Sequence, residues 1–346
     1  MADYFLGADV GSSKTHVLIS DDTGRALGFG ESGAGNHEVV GYAGLAQALG
    51  EATDEALGEA GLEKSQISGA GFGVSGYDWP SERQPTLQAI ATLGLNCPVD
   101  AVNDALIGLL AGSAQGWGIA VVSGTGCNCR GWDRERRHQG MVTGSGIWMG
   151  EGAGGGDLVG KAVQAVAYEW TLRGPATQLT PALLEYTASS TPAEMLQNLI
   201  TGEKEIDATA APLVFKVAAG GDPVALEVVH WAGCELGELA RCVIRQLGFE
   251  QLEFEVVLVG SMFDAGPLLI EPLRENIISL APGARLVRLA APPVTGAVLL
   301  GMEAAGFATP KRVRKALQKG KLGDKNPSNP VLVPESGLNY SLEQSQ

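Results

Sequence analysis

The chain is short of several things, and each shortage removes a class of function. No stretch of its 346 residues approaches the ~18 uninterrupted apolar residues of a membrane-spanning helix. The N-terminus, MADYFLGADVGSSK, lacks a basic n-region and a long apolar core, and Asp3 and Asp9 interrupt it, so no signal peptide is expected. Positive charge is scarce: 24 basic residues face 39 acidic ones, for a formal charge of −15. That excludes a general nucleic-acid binder, whose affinity comes from neutralising phosphates. The cysteines number five, an odd count without a disulfide framework, and only Cys127 and Cys129 are close. They read as free thiols of a reducing cytoplasm. The four histidines, His16, His37, His138 and His230, have no metal-ligand spacing. There is no G-x-x-x-x-G-K-[ST] loop and no G-x-S-x-G elbow. Gly28, Gly30 and Gly33 spell G-x-G-x-x-G, but they end a strand with no helix starting there, which argues against a dinucleotide site.

Glycine is abundant. Its 49 residues are about twice the usual share of ~7% and follow no collagen-like period. They mark loops and close backbone approaches. The length suggests two domains.

Patterning places strands at Tyr4–Asp9, Thr15–Ser20 and Arg25–Glu31, an antiparallel meander. A helix over Gly41–Ala60, a strand over Ile67–Val74, a helix over Ser81–Leu93, a strand over Val99–Val102 and a helix over Asp104–Ala111 follow. The pattern then restarts. Strands at Gly118–Val122 and Asn128–Trp132 flank a Gly-rich turn, and a Gly-rich loop, Gly144–Gly156, feeds a helix over Asp157–Tyr168. Most of Pro181–Leu247 reads as helical, then come a strand at Phe254–Val259, a helix at Pro267–Leu280, a strand at Arg285–Leu289 and a helix at Val294–Ala305. Two halves therefore open alike, ADVGSSKTHVLI and VVSGTGCNCRGW. A duplicated α/β lobe with a cleft between the copies is expected, and ligands commonly bind in such clefts. The stretch Lys311–Lys325 holds seven basic residues and one acidic one, and reads as a solvated surface helix before a loose terminus.

Candidate chemistry sits at the turns. Asp9 ends a strand, and Gly11, Ser12, Ser13, Lys14 and Thr15 form a small-residue loop. Its amides, with the hydroxyls of Ser13 and Thr15, suit phosphate oxygens, and Asp9 suits a hydrated Mg²⁺. Gly124, Thr125 and Gly126 repeat the device in the second half, so two loops would clamp a polyphosphate. Gly260 and Ser261 follow a buried strand, where a base or ribose would pack. Asp104 is either a helix cap or a general base at a strand end.

Together these residues resemble the sugar kinase, actin and hexokinase-like superfamily, and within it the N-acetylglucosamine kinase group of the BadF/BadG/BcrA/BcrD ATPase family. The resemblance spans about residues 4–306. DVGSSKT is similar to the first phosphate loop and VVSGTGCNCRG to the second. GAGNHEVVG and FGVSGYD resemble sugar loops, which implies substrate contacts from Asn36, Ser75, Gly76 and Asp78. VNDALIGLLAG resembles the segment with the catalytic carboxylate, here Asp104, which also meets the substrate. LVGSMFDAG resembles the adenosine motif at Gly260 and Ser261, and PPVTGAVLLG a hinge. The resemblance implies two ribonuclease-H-like lobes in a duplicated actin-like fold. The first would be 1–113, joined by the helix at about 294–306. The second would be 114–293, with 307–346 as tail. It implies ATP and Mg²⁺ as cofactors, a homodimer, and transfer of phosphate to an amino sugar, N-acetylglucosamine at its 6-hydroxyl being the first candidate. An ATPase that drives a partner acyl-CoA dehydratase or reductase through an intersubunit iron–sulfur cluster shares the fold. A sugar-sensing protein without catalysis is a third reading.

Three departures from the pattern concern this chain. Glu151 and Gly152 stand where the family has Asp-Glu, Glu38 where a Trp often follows Asn-His, and Cys127 where it has Ser. Glu151 is the remaining carboxylate expected to meet the sugar.

Overall fold

A computed structural model describes residues 3–309 and 311–319. The first sheet opens with a meander, β1 (Tyr4–Val10), β2 (Thr15–Asp21) and β3 (Ala26–Ser32). The helix α1 (His37–Ala60) crosses over to β4 (Ile67–Val74), and α2 (Arg83–Ala91) leads to β5 (Val99–Asn103). After α3 (Asp104–Gly112), the same plan repeats with β6 (Gly118–Ser123), β7 (Cys127–Trp132) and β8 (Gln139–Val142). The helices α4 (Gly155–Trp170), α5 (Leu179–Tyr186), α6 (Pro192–Thr201), α7 (Ala211–Ala219) and α8 (Pro223–Leu247) intervene before β9 (Phe254–Val259). Then come α9 (Pro267–Leu280), β10 (Ala284–Arg288), α10 (Val294–Ala304) and α11 (Lys311–Lys319).

The strand orders are β3-β2-β1-β4-β5 and β10-β9-β6-β7-β8. Read from the other edge, the second becomes β8-β7-β6-β9-β10, so each sheet is an antiparallel meander extended by two parallel strands. The expected duplication is thus present strand for strand. The strand β8 was not anticipated. Its four residues alternate exposed Gln139, buried Gly140, half-buried Met141 and buried Val142, too short a run to stand out.

Sequence explains how the layers pack. The meander turns Leu6, Ala8, Val10, Val17 and Ile19 onto α1, which returns Leu45, Leu49, Ala52 and Ala56. The glycines of the rejected dinucleotide motif serve that contact: a Cβ on Gly28 or Gly30 would lie 2.1 or 2.0 Å from the Ala56 or Ala52 carbonyl oxygen. On the opposite face, α10 returns from the far end of the chain to pack on β1 and β4. A Cβ on Gly71 would lie 2.2 Å from the Ala297 carbonyl oxygen, so a side chain there would overpack the contact at a cost of ~1–3 kcal/mol.

Two expectations are corrected. The helix α1 begins at His37, four residues early, and breaks at Gly41, whose φ of 68° lies outside the helical region. The basic segment is not wholly solvated. Its α11 buries Val313 and Leu317 against Phe5, Leu18 and Met302, while Arg314 bonds the Leu110 carbonyl and Glu303. The loose terminus expected beyond residue 319 lies outside the described residues. No helix among the described residues is long and apolar enough to cross a membrane.

Candidate active site

The parallel registers decide what meets. Asp9 pairs with Gly73 and Val74 pairs with Asn103, so the C-terminal ends of β1, β4 and β5 form one row carrying Asp9, Ser75 and Asp104. In open α/β sheets this end of the strands is where ligands bind. In the second sheet β6 and β9 run parallel in the same way, which sets Gly124–Gly126 beside Gly260.

The first loop is held from below. Gly11 N–H donates to Lys14 O (2.8 Å), and the Gly11 carbonyl accepts from the amides of Gly35 and Asn36 (3.0 and 3.2 Å). Asn36 caps α1 by accepting from Glu38 N–H (2.9 Å), and its Nδ2 donates to Ser12 Oγ (3.0 Å). The Gly11–Thr15 loop and the Gly35–Glu38 segment are thereby one hydrogen-bonded unit. Gly76 completes it, since a Cβ there would lie 2.4 Å from Asn36 Oδ1. The amides of Ser12 and Ser13 donate to no acceptor among the described residues. Lys14 is exposed, 3.9 Å from Glu31. Thr15 departs from expectation. It is fully buried, and its hydroxyl, without a hydrogen-bond partner, lies beneath Gly35, because as the first residue of β2 it turns into the core. It gives no hydroxyl to a phosphate.

The second loop is tied to the start of α4. Gly155 and Gly156 donate to the carbonyls of Gly124 and Thr125 (2.8 and 3.2 Å), and Ser123 Oγ donates to Ala153 O (2.8 Å). These bonds use up the loop's carbonyls and leave the amides of Thr125 and Gly126 without acceptors among the described residues. Added Cβ atoms on Gly124 and Gly126 would meet nothing within 4 Å, so the space above both is open. Amides without acceptors under open space fit an anion such as a phosphate chain.

Beside this loop lies a cavity of about 510 Å³, lined by Gly124, Thr125, Pro212, Phe215, Ser261 and Met262 among others. Its apolar wall and Gly edge fit a nucleoside. Arg288, which sequence reasoning did not single out, fixes the rim by donating to the carbonyls of Leu258 and Gly260 and to Asp264 (3.0, 2.9 and 2.8 Å). Gly260 has φ 110°, and a Cβ there would lie 2.1 Å from the Ser123 carbonyl oxygen. Gly260→Ala is therefore expected to cost at least ~1–3 kcal/mol and to raise the KM for ATP. Thermal melting and ATP titration check this, and an unchanged KM in a destabilised variant would separate packing from nucleotide contact.

Between the two sheets stand the carboxylates. Asn103 is the N-cap of α3, accepting from Ala105 N–H (3.0 Å), so the cap does not depend on Asp104. Asp104 accepts from the same amide (2.9 Å) and from Asn128 Nδ2 on β7 (3.4 Å). Burial raises its pKa, against the pull of Asn128, that amide and Arg130. Asp9 is raised to about 7, first by burial and then by the neighbouring charge of Asp104. No side-chain hydrogen bond relieves it among the described residues. An oxygen donor of this kind fits a divalent cation, which would remove the repulsion.

Asp78 lies against β7 as well. It pairs with Arg130 and accepts from Asn103 Nδ2 (3.1 Å). Burial raises it to about 6, opposed by Arg130. Asn128 and Arg130 were missed by sequence reasoning. The available signal was the alternation of polar and thiol residues in Cys127-Asn128-Cys129-Arg130, which puts both polar groups on one face of a strand. Glu151 ties down its own loop, accepting from Ser145 N–H (2.9 Å) and Thr143 Oγ1 (3.1 Å) through one oxygen. Asp157 caps the start of α4 by accepting from the amides of Ala153 and Gly154 (3.2 and 3.0 Å).

Known proteins resemble the chain along most of its length. The chain is 26% identical over 303 residues to an N-acetylmuramic acid/N-acetylglucosamine kinase of Clostridium acetobutylicum, covering 86% of this chain and 97% of that one. It is 26% identical over 317 residues to an N-acetyl-D-glucosamine kinase of Dictyostelium discoideum, covering 87% and 98%. Among solved structures, an N-acetylglucosamine kinase candidate from Chromobacterium violaceum superposes with a TM-score of 0.67 at 26% identity, covering 86% of this chain and 98% of that one. The duplicated sheets with a cleft between them are the two-lobed actin-like fold of sugar kinases. The model of one family matches residues 6–301, nearly the whole span from β1 to α10, and the chain belongs to the BadF/BadG/BcrA/BcrD ATPase family.

Proposed function

We propose that the chain is an ATP-dependent kinase of an amino sugar, with N-acetylglucosamine phosphorylated at the 6-hydroxyl as the leading case. One observation carries this: a desolvated carboxylate, Asp104, stands at the strand ends where two phosphate-fitting loops converge. The nucleoside occupies the 510 Å³ cavity at Gly260 and Ser261, and the phosphates meet the free amides of Ser12, Ser13, Thr125 and Gly126. Asp9 holds the Mg²⁺ that neutralises phosphate charge when bound. Asn36, Ser75, Gly76, Asp78 and Glu151 contact the sugar, Asp104 accepts the hydroxyl proton, and Asn128 orients that carboxylate. Such a base typically contributes ~10²–10⁴-fold. The iron–sulfur activator reading is not favoured by the thiols. Cys127 and Cys129 are buried in the core, and burial pushes Cys127 up to about 12 and Cys129 well above the usual range. A cluster shared between subunits needs thiols at the surface, and these two are not there.

A coupled ADP-release assay over amino sugars and hexoses tests the proposal. Sugar-dependent ADP release is expected, greatest with an amino sugar. ATP hydrolysis indifferent to every sugar would overturn it. Gly152 refines the specificity. A Cβ there has its nearest neighbours in Trp231 at 3.6 Å and Asp157 at 3.7 Å, ordinary contacts, so the backbone tolerates a side-chain stem. Gly152→Glu restores the second family carboxylate and is expected to lower the KM for N-acetylglucosamine about tenfold or more. This follows from one charge-assisted hydrogen bond of ~1.5–3 kcal/mol. A folded variant with no gain for any amino sugar would remove that idea.

A further inference from the structure

A second cavity, of about 340 Å³, lies between the β4–α2 connection and the β7–β8 edge. It shares no lining residue with the nucleotide cavity. We infer that it is a second carbohydrate subsite, which seats a pyranose ring attached to the amino sugar at Asp104.

The lining is that of a sugar site. Tyr77 and Trp79 supply aromatic surface, and Trp79 stays 41% exposed. A large aromatic side chain left in water at a concave rim, as Trp79 is, is a recognition feature, with a flat apolar face and a polar edge. Arg83, Gln139 and Arg130 surround them with hydrogen-bonding groups. Arg130 is 2% exposed, yet its Nε has no hydrogen-bond partner and its Nη1 has only the Met141 sulfur at 3.3 Å. Guanidinium N–H groups buried in this way are costly unless something accepts from them. Arg83, exposed at the rim, makes no side-chain hydrogen bond or ion pair among the described residues. Hydroxyl and ring oxygens would satisfy these donors.

Charge narrows the ligand class. Arg130 is cancelled by Asp78, and the charges of Asp100 and Glu82 reach the same corner as Arg83. The pocket therefore has no excess positive charge for an inorganic phosphate and no open carboxylate cluster for a metal. A ring with an apolar face and several hydroxyls matches what remains. The location supplies the connection. Asn103 lines the cavity, and the next residue is Asp104, so the cavity's inner edge lies one residue from the base. The attachment, though not the pocket itself, rests on the kinase reading above.

The probe is the β-1,4-linked dimer of N-acetylglucosamine, compared with the monomer on the full-length protein without nucleotide, by calorimetry and tryptophan emission. The dimer is expected to bind at least ~10-fold more tightly than the monomer. Trp79→Ala and Arg83→Ala should each abolish most of that advantage while leaving kcat and KM for the monosaccharide within about twofold. Equal affinity for dimer and monomer, or an advantage that survives both substitutions, would overturn the inference. Binding is read without ATP, so a failure of sugar-dependent ADP release would count against the kinase reading alone.

Discussion

Asp104→Asn is expected to cut turnover at least ~10²-fold while nucleotide binding stays close to that of the unsubstituted protein and the melting temperature is not lowered. The substitution keeps size and an oxygen acceptor but removes the proton-accepting charge. It spares the helix, because Asn103 already caps α3 through Ala105 N–H. Turnover by ADP release, KM for ATP and a thermal melt check it, and near-normal turnover would leave Asp104 with a structural role only. A pH profile adds a second readout. Burial holds the Asp104 pKa above the ordinary aspartate range, so the base is lost to protonation earlier as pH falls. The acid limb of kcat/KM is therefore expected nearer neutrality than the ~3.9 of a free aspartate.

Much of this was legible in the chain, for identifiable reasons. The strands at Ile67–Val74 and Phe254–Val259 and the helix at Pro267–Leu280 were read to the residue, because glycine, proline or polar residues bound each of them. The two turns proposed to hold phosphates were visible as small residues following buried strands. What escaped depends on tertiary pairing. Arg130 belongs to an ordinary strand sequence, and its meaning comes from Asp78, 52 residues earlier in the connection after β4. Asn128 likewise acquires its partner only when α3 packs against β7. Thr15 looked like a loop donor, but the register of β2 turns it inward. The glycines at 28 and 30 looked like a ligand motif and prove to be packing positions under α1. In each case local composition gave the residue type, and the pairing of distant segments decided its role.

Asp9→Asn is expected to make the protein more stable and much less active, a combination that a merely structural carboxylate would not produce. Asp9 is raised from 3.8 to about 7 in the folded chain by burial and by Asp104. The folded state therefore holds a proton that the unfolded chain releases near pH 4. This contribution to stability is present at low pH and is lost as pH rises toward and through 7. A shift of about three units sets an upper bound of ~4 kcal/mol, reduced by whatever solvent reaches the partly exposed carboxylate. The Asn variant avoids the loss, so at pH 8 it should melt several degrees higher than the unsubstituted protein, with the gap closing toward pH 5. Mg²⁺ should narrow the gap at pH 8, because a cation stabilises only the chain that keeps the carboxylate. Kinase turnover should fall at least tenfold in the same variant. Melts at both pH values, with and without Mg²⁺, decide the matter. An Asn variant that melts at or below the unsubstituted protein at pH 8 would show that Asp9 is already stabilised by its surroundings and is not held in reserve for a cation.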